Sequence, residues 1–125
     1  MVVPSTQVIW KHDGSAEFAT AERCCIIETY NSTADESLSI ARARVAPGVT
    51  TAWHSVEGTV ERYVIAEGCG RAEVGDFPVA EVSPGDVVVI PAGVRQRIGN
   101  IGTADLVFYC VCTPRFRAEN YRALE

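Results

Sequence analysis

The sequence has no long hydrophobic run and no run of basic residues. Its longest strongly apolar segment, Leu106 to Cys112, is far too short to cross a bilayer as a helix. Arginines occur only in pairs, such as Arg95 with Arg97 and Arg115 with Arg117, and the formal net charge of the chain is -5. Because a nucleic-acid-binding protein needs a basic face, the sequence indicates neither a membrane span nor a nucleic-acid partner.

The start of the chain also lacks the charged head and apolar stretch of a secretory signal, so we expect a cytoplasmic protein. The five cysteines are an odd number, which favours reduced thiols. Cys24 and Cys25 would point to opposite faces of a strand and are poorly placed for a disulfide. Cys110 and Cys112 would share one face as small core residues. A hydrophobic core, rather than disulfides, is therefore expected to hold the fold.

Short hydrophobic stretches and turn residues alternate along most of the chain. Glycine and proline pairs such as Pro47-Gly48 and Pro84-Gly85 predict tight turns between them. The stretches rich in Val, Ile, Thr and Tyr that predict strands are Gln7–Trp10, Arg23–Tyr30, Leu38–Val45, Thr50–Val56, Val60–Ala66, Arg71–Val74, Val79–Val82, Val87–Ile90, Arg95–Ile98 and Leu106–Cys112. Many short strands at such spacing are typical of an all-β sandwich or barrel.

The end of the chain has a different period. Within Arg117 to Leu124, Tyr121 and Leu124 are three residues apart, which predicts a short C-terminal helix packed against the barrel. No linker, internal repeat or change of composition divides the chain, and 125 residues suit one domain. We therefore predict a single domain over residues 1–125.

Two sets of spaced residues carry the functional information. Residues 48–68 contain Gly48, His54, Glu61 and Gly68, and residues 85–100 contain Gly85, Pro91, Gly93, Gln96 and Asn100. This spacing resembles the two motifs of the cupin superfamily, and in particular the small single-domain bacterial cupins. The resemblance implies a jelly-roll β-barrel and a homodimer. Two positions that hold histidine in the usual cupin ligand set are Val56 and Gln96 here.

The resemblance also implies a metal site made by His54, Glu61 and Gln96. Position 56 lies two residues after His54 and faces the same way on a strand, but a valine has no lone pair to donate. The amide oxygen of Gln96 suits Mn, Mg or Fe(II) with waters better than a closed tetrahedral Zn site. One hypothesis is therefore a weakly bound divalent metal, Mn, Fe or Zn, in a lyase or isomerase that acts on a small polar, carbonyl or sugar-like substrate.

Two other hypotheses need no metal. In one, Glu61 orients His54 as a general base beside a substrate carbonyl, and Gln96 binds a substrate oxygen. In the other, the barrel binds a small molecule without catalysis. Tyr63 shares the face of Glu61 and is a candidate proton donor or ligand-binding residue. The sequence leaves open whether the protein is an enzyme.

The charge of the ligand depends on which side chains of one strand face inward. Arg42 and Arg44 alternate with Ala41 and Ala43, so the two pairs face opposite sides. We expect the alanines to face the interior. Inward arginines would instead indicate an anionic ligand, such as a phosphate or a carboxylate.

Overall fold

The computed structural model describes residues 7–125, which form strands and two short 3-10 turns. The strands are β1 (Phe18–Ala19), β2 (Cys25–Tyr30), β3 (Ser39–Val45), β4 (His54–Val56), β5 (Val60–Glu67), β6 (Gly70–Val74), β7 (Ala80–Val82), β8 (Val87–Ile90), β9 (Gln96–Asn100), β10 (Leu106–Thr113) and β11 (Tyr121–Ala123). The 3-10 turns are Gly14–Ala16 and Ala118–Asn120. No helical segment within residues 7–125 has the length and apolar character that a membrane crossing requires.

The strands form two antiparallel sheets. One sheet has the order β1-β2-β3-β10-β5-β8 and the other the order β11-β4-β9-β6-β7. The chain passes between the sheets at successive strands, from β3 to β4 and then to β5, as in a jelly roll. The predicted all-β jelly roll is therefore confirmed.

The hydrophobic core lies between the two sheets. Ile65, Ile90 and Leu106 from the six-stranded sheet and Ile98 from the five-stranded sheet are fully or almost fully buried. These residues belong to strands in which inward and outward side chains alternate, so one face of each sheet is apolar. Phe108 belongs to the same core and also lines a cavity, which connects the core to the site described below.

Residues of the two sequence motifs hold the turns of the barrel. Gly68 has a φ of +82°, and a Cβ at this position would lie 2.6 Å from the carbonyl oxygen of Asp105. Asn100 donates from Nδ2 to the carbonyl oxygens of Val45, at 2.9 Å, and Ala104, at 2.8 Å. The asparagine thus links the end of β9 to the end of β3. The glycine and asparagine positions of the motifs therefore have a structural role in the barrel.

The predicted C-terminal helix at Arg117–Leu124 is wrong. Ala118–Asn120 form a single 3-10 turn, and the chain then extends as β11. β11 pairs antiparallel with β4, with Tyr121 opposite Val56. The backbone groups on the open edge of β4 accept a strand, and this pairing outweighs a weak helical period. As a result, Tyr121 reaches the cavity.

The predicted strand at Gln7–Trp10 is also wrong, because the structure assigns these residues to no strand. The side chains of Val8 and Ile9 are 86% and 66% exposed, and the Trp10 ring packs edge-on against Tyr30 at a centroid distance of 5.0 Å. A strand is stabilised by a neighbouring strand, so a suitable composition alone does not produce one.

Candidate functional site

A cavity of about 340 Å³ lies between the two sheets. Side chains of β2, β3, β5 and β10 line it from the six-stranded sheet, and side chains of β4 line it from the five-stranded sheet. Residues from the segments 18–22 and 116–121 also contribute to its wall. The volume falls within the range of about 300–1,000 Å³ that is common for small-molecule pockets.

The alanines of β3 face this cavity, as expected. Ala41 and Ala43 line it, whereas the arginines that alternate with them bind Glu17 outside it. The Arg44 Nη2 atom lies 2.6 Å from Glu17 Oε1, and the Arg42 Nη1 atom lies 3.6 Å from Glu17 Oε2. Neither guanidinium group is therefore part of the cavity wall.

His54 is buried at the start of β4 and lines the cavity. Its Nδ1 atom lies 3.0 Å from the carbonyl oxygen of Ala52 and 3.4 Å from Oε2 of Glu22. Both neighbours are hydrogen-bond acceptors, so Nδ1 must carry the proton of the neutral ring. The basic lone pair of His54 is then on Nε2.

Glu22 is a residue that sequence reasoning missed. It lies in the turn before β2, where its backbone N–H contacts Thr20 Oγ1 at 3.2 Å. Its carbonyl oxygen accepts a hydrogen bond of 3.0 Å from the backbone N–H of Ala52. This contact anchors the turn two residues before His54, although Glu22 is distant in sequence and outside both motifs. No sequence pattern points to Glu22, because the pairing of two remote loops brings it to the site.

Tyr121 stacks on the His54 ring. The ring centroids are 5.3 Å apart, and the ring planes differ by 21°. Desolvation, followed by the nearby Glu22 carboxylate, raises the pKa of Tyr121 to about 12. The hydroxyl of Tyr121 therefore stays protonated at neutral pH, and the ring fixes one face of the imidazole.

Glu61 is a buried carboxyl group in the same cavity wall. Its side chain is 7% exposed, and Oε1 has no hydrogen-bond partner within residues 7–125. Desolvation raises the pKa of Glu61, and the opposing effects of the His54 charge and a hydrogen bond with Gln96 are smaller. Burial therefore favours the protonated, neutral form of Glu61.

Tyr63 and Gln96 form a hydrogen bond behind Glu61. The Tyr63 hydroxyl donates to Oε1 of Gln96, and both side chains are buried. Desolvation raises the pKa of Tyr63 well above its ordinary value. His54, Glu61 and Tyr63 thus line one cavity, whereas Gln96 lies outside the lining and supports Tyr63 and Glu61.

A comparison with protein-family models identifies the fold family. The model described as "Cupin domain" matches residues 41–112. This chain belongs to the cupin family. A comparison with curated protein sequences gave no significant match.

Solved structures of cupin-like proteins share the fold of this cupin. The nucleoside dehydratase Pac13 from Streptomyces superposes with a TM-score of 0.76 at 13% identity, over 94% of this chain and 92% of that chain. A predicted oxalate decarboxylase from Thermotoga maritima has a TM-score of 0.66 at 26% identity, over 73% of this chain and 80% of that chain. The cupin domain of Cnp3 from Schizosaccharomyces pombe has a TM-score of 0.67 at 14% identity. The superposition covers 74% of this chain but only 65% of that chain.

The donor atoms at the cupin ligand positions do not fit a divalent metal. Val56 lines the cavity where a second histidine would stand, and it offers no donor atom. The amide oxygen of Gln96 already accepts the Tyr63 hydroxyl. Within residues 7–125, no group of three or more His, Cys, Asp and Glu side chains is arranged to hold a metal ion. His54 and Glu61 remain, and two protein ligands are fewer than the three that catalytic zinc sites use.

Three cysteine thiols form part of the cavity wall: Cys24, Cys110 and Cys112. All three are buried and make no disulfide within residues 7–125. Desolvation raises the pKa of Cys24 to about 11 and that of Cys112 to about 12. These thiols are therefore protonated at neutral pH and act as apolar wall rather than as nucleophiles.

Proposed function

We propose that this cupin binds a small molecule and catalyses an elimination on it by acid–base chemistry, without a metal. His54 is the general base and Glu61 the general acid. The observation that carries the proposal is the environment of His54 Nδ1, which faces two acceptors and so directs the basic Nε2 lone pair to the remaining side of the ring.

The base is held in one orientation from two directions. The Ala52 carbonyl oxygen and the Glu22 carboxylate fix the edge of the imidazole, and the Tyr121 ring fixes its face. The carboxylate also stabilises the imidazolium that forms when His54 accepts a proton. Such a positioned imidazole is suited to removing a proton from a carbon atom beside a carbonyl group.

The acid is Glu61, because burial favours its protonated form. In the proposed step, His54 Nε2 takes the proton from the carbon beside the carbonyl. The electron pair of that C–H bond forms a C=C bond, the neighbouring C–O bond breaks, and the Glu61 proton goes to the leaving oxygen to give water. Transfer of the proton from His54 back to Glu61 restores both groups. A pair of groups with opposite protonation preferences is the usual basis for such chemistry.

One of the compared structures is consistent with an elimination. Pac13 from Streptomyces is described as a nucleoside dehydratase, and a dehydratase removes water. At 13% identity the likeness extends only the fold to this chain. The proposed reaction class therefore rests on the geometry of His54 and Glu61.

A panel of small β-hydroxy carbonyl compounds, followed by NMR in D₂O, tests the proposal. We expect exchange of the proton beside the carbonyl and release of water, both unaffected by EDTA. Glu61→Gln should retain exchange but lose elimination, whereas His54→Gln should lose both. Activity that EDTA removes and a divalent metal restores would contradict the metal-free mechanism.

A binding protein without catalysis is the second candidate, and the apolar wall of alanines and protonated thiols favours it. Such a barrel would bind compounds of the panel in a thermal-shift or NMR titration, but would neither exchange protons nor release water. The two candidates are therefore separated by the same samples.

We also propose a homodimer, which the cupin resemblance implies. Val64, Val87 and Val89 are 37%, 55% and 58% exposed on β5 and the edge strand β8, which supports a contact surface there. Sedimentation velocity should give twice the monomer mass of 13.5 kDa, and a monomer at micromolar concentration would contradict the proposal.

A further inference from the structure

Carboxyl groups dominate the charged part of the cavity wall. Glu22, Glu28 and Glu61 line it, and no Arg or Lys side chain of residues 7–125 does so. His54 is the basic side chain among the lining residues. An anionic ligand would meet these carboxyl groups and find no guanidinium or ammonium group to pair with.

Two arginines that line a depression beside the cavity already have partners. Arg115 and Arg117 line a depression that shares Glu28 with the cavity. The Arg115 Nε atom lies 2.9 Å from Glu36, and the Arg117 Nε atom lies 2.6 Å from Glu119. Because both guanidinium groups are already paired with carboxylates, neither group makes the cavity a binding site for an anion.

Glu28 has no cation partner within residues 7–125. Its recorded side-chain contact is a 3.4 Å hydrogen bond from the Asn31 amide. Desolvation raises the pKa of Glu28, and this amide opposes the effect. The other two carboxyl groups are engaged differently, since Glu22 contacts His54 and Glu61 is buried beside Gln96. Glu28 is therefore the carboxylate that remains to pair with a ligand.

Aromatic rings surround the same space. Those that line the cavity are Phe18, Tyr63, Phe108, Phe116 and Tyr121. The face of an aromatic ring attracts a cation, and the effect strengthens where water is excluded. The almost fully buried Oε1 of Glu61 has no hydrogen-bond partner within residues 7–125 and is a second polar group that a ligand could contact. Carboxylates beside aromatic rings are a setting that recognises ammonium groups.

We infer that the ligand of this cavity is a small organic cation, an amine with an aromatic or apolar body, and that Glu28 pairs with its ammonium group. The inference rests on the proposed function only in naming the ligand of the same cavity. It adds that carboxylate and phosphate compounds are excluded by charge, even where their size would fit.

Three probes of nearly equal size test the inference: benzylamine, benzyl alcohol and benzoate. At neutral pH they are positive, neutral and negative, and their affinities can be compared by calorimetric or NMR titration. We expect benzylamine to bind about tenfold more tightly than benzyl alcohol, and benzoate to bind most weakly. Equal affinities for the amine and the alcohol, tighter binding of benzoate, or no binding of any probe would each overturn the inference.

Variants of Glu28 locate the effect. Glu28→Gln should bring the affinity for benzylamine down to that for benzyl alcohol, and Glu28→Asp should keep most of the preference. Glu67→Gln removes an exposed carboxylate outside the cavity and should leave the tenfold ratio unchanged. An unchanged ratio in folded Glu28→Gln would overturn the assignment of Glu28.

The outcomes also separate this inference from the proposed reaction. A preference for benzylamine that persists in His54→Gln, together with no turnover of any compound by the native protein, would refute the reaction alone. Turnover that is confined to neutral or anionic compounds would refute the amine inference alone.

Discussion

The buried residues of the site, here called its buried end, and the partly exposed residues, here called its open end, come from different parts of the chain. At the buried end, Glu61, Tyr63 and Gln96 lie on β5 and β9, within the residue ranges of the two sequence motifs. At the open end, Glu22 and Tyr121 come from segments outside both motifs. The motifs thus supply the barrel and the groups that we propose to transfer protons, while the other segments orient His54.

The largest effect is expected at His54, where the two ends meet. His54→Gln removes the base and should lower the elimination rate by about 10² to 10⁴-fold. Because the imidazole makes one backbone hydrogen bond, to Ala52, the fold should persist. Steady-state kinetics and a thermal melt on the same preparation check both statements. A rate within tenfold of the native rate would remove His54 from its catalytic role.

Much of the buried end could be predicted from the sequence, because its residues have periodic positions. His54, Glu61 and Tyr63 line one cavity as the strand parity implied, and Gly68 occupies a turn that a side chain could not enter. These features depend on local geometry, which the spacing of residues along a strand fixes.

The open end could not be predicted in this way. Glu22 reaches His54 through a hydrogen bond between two loops, and Tyr121 does so through the pairing of β11 with β4. Pairing between segments that are remote in sequence produces no hydrophobic periodicity in either segment, so no sequence pattern reveals it. The spacing of three residues between Tyr121 and Leu124 even predicted a helix. Local sequence propensity cannot account for the unpaired edge of β4, with which this segment pairs instead.

A test of the scaffold compares two motif glycines. Gly68→Ala places a Cβ 2.6 Å from the Asp105 carbonyl oxygen at a positive φ and should lower the free energy of unfolding by about 3 kcal/mol. Gly48→Ala has a φ of +77° but no atom within 4 Å of the new Cβ, so it should cost about 1 kcal/mol. Urea denaturation of both variants measures the difference. Equal losses would show that steric overlap at Gly68 is unimportant.

The hydrogen bond of the buried end should matter for stability more than for ligand binding. Tyr63→Phe leaves the buried Gln96 amide oxygen without its donor and should lower the free energy of unfolding by about 1–3 kcal/mol. Tyr109→Phe is the matched control, because the Tyr109 hydroxyl makes no recorded hydrogen bond within residues 7–125 and does not line the cavity. Chemical denaturation should separate the two variants, and similar stabilities would contradict this account.

The prediction for Glu22, at the open end, concerns catalysis rather than stability. Glu22→Gln should lower kcat about tenfold, which corresponds to about 1.4 kcal/mol, with little change in KM, because the carboxylate positions His54 and does not bind the substrate. Glu22→Asp should restore part of the rate. A rise in KM without a change in kcat would show that Glu22 binds the ligand instead.

Glu61 should have the smallest effect on stability, and that effect should depend on pH. Its folded-state pKa is raised above the ordinary value of 4.5, so between these two values the folded protein binds more protons than the unfolded chain. The stability that Glu61 contributes is therefore present below pH 4.5 and is lost as the pH rises through the folded-state pKa.

Glu61→Gln has no such loss. We expect the variant to equal the native protein in stability near pH 4 and to exceed it at pH 8, as measured by urea denaturation at each pH. Glu57→Gln, at an exposed position outside the cavity, should show no pH-dependent difference. A native protein that gains stability relative to Glu61→Gln as the pH rises would mean that Glu61 is held as a carboxylate, and the buried end would then lack its acid.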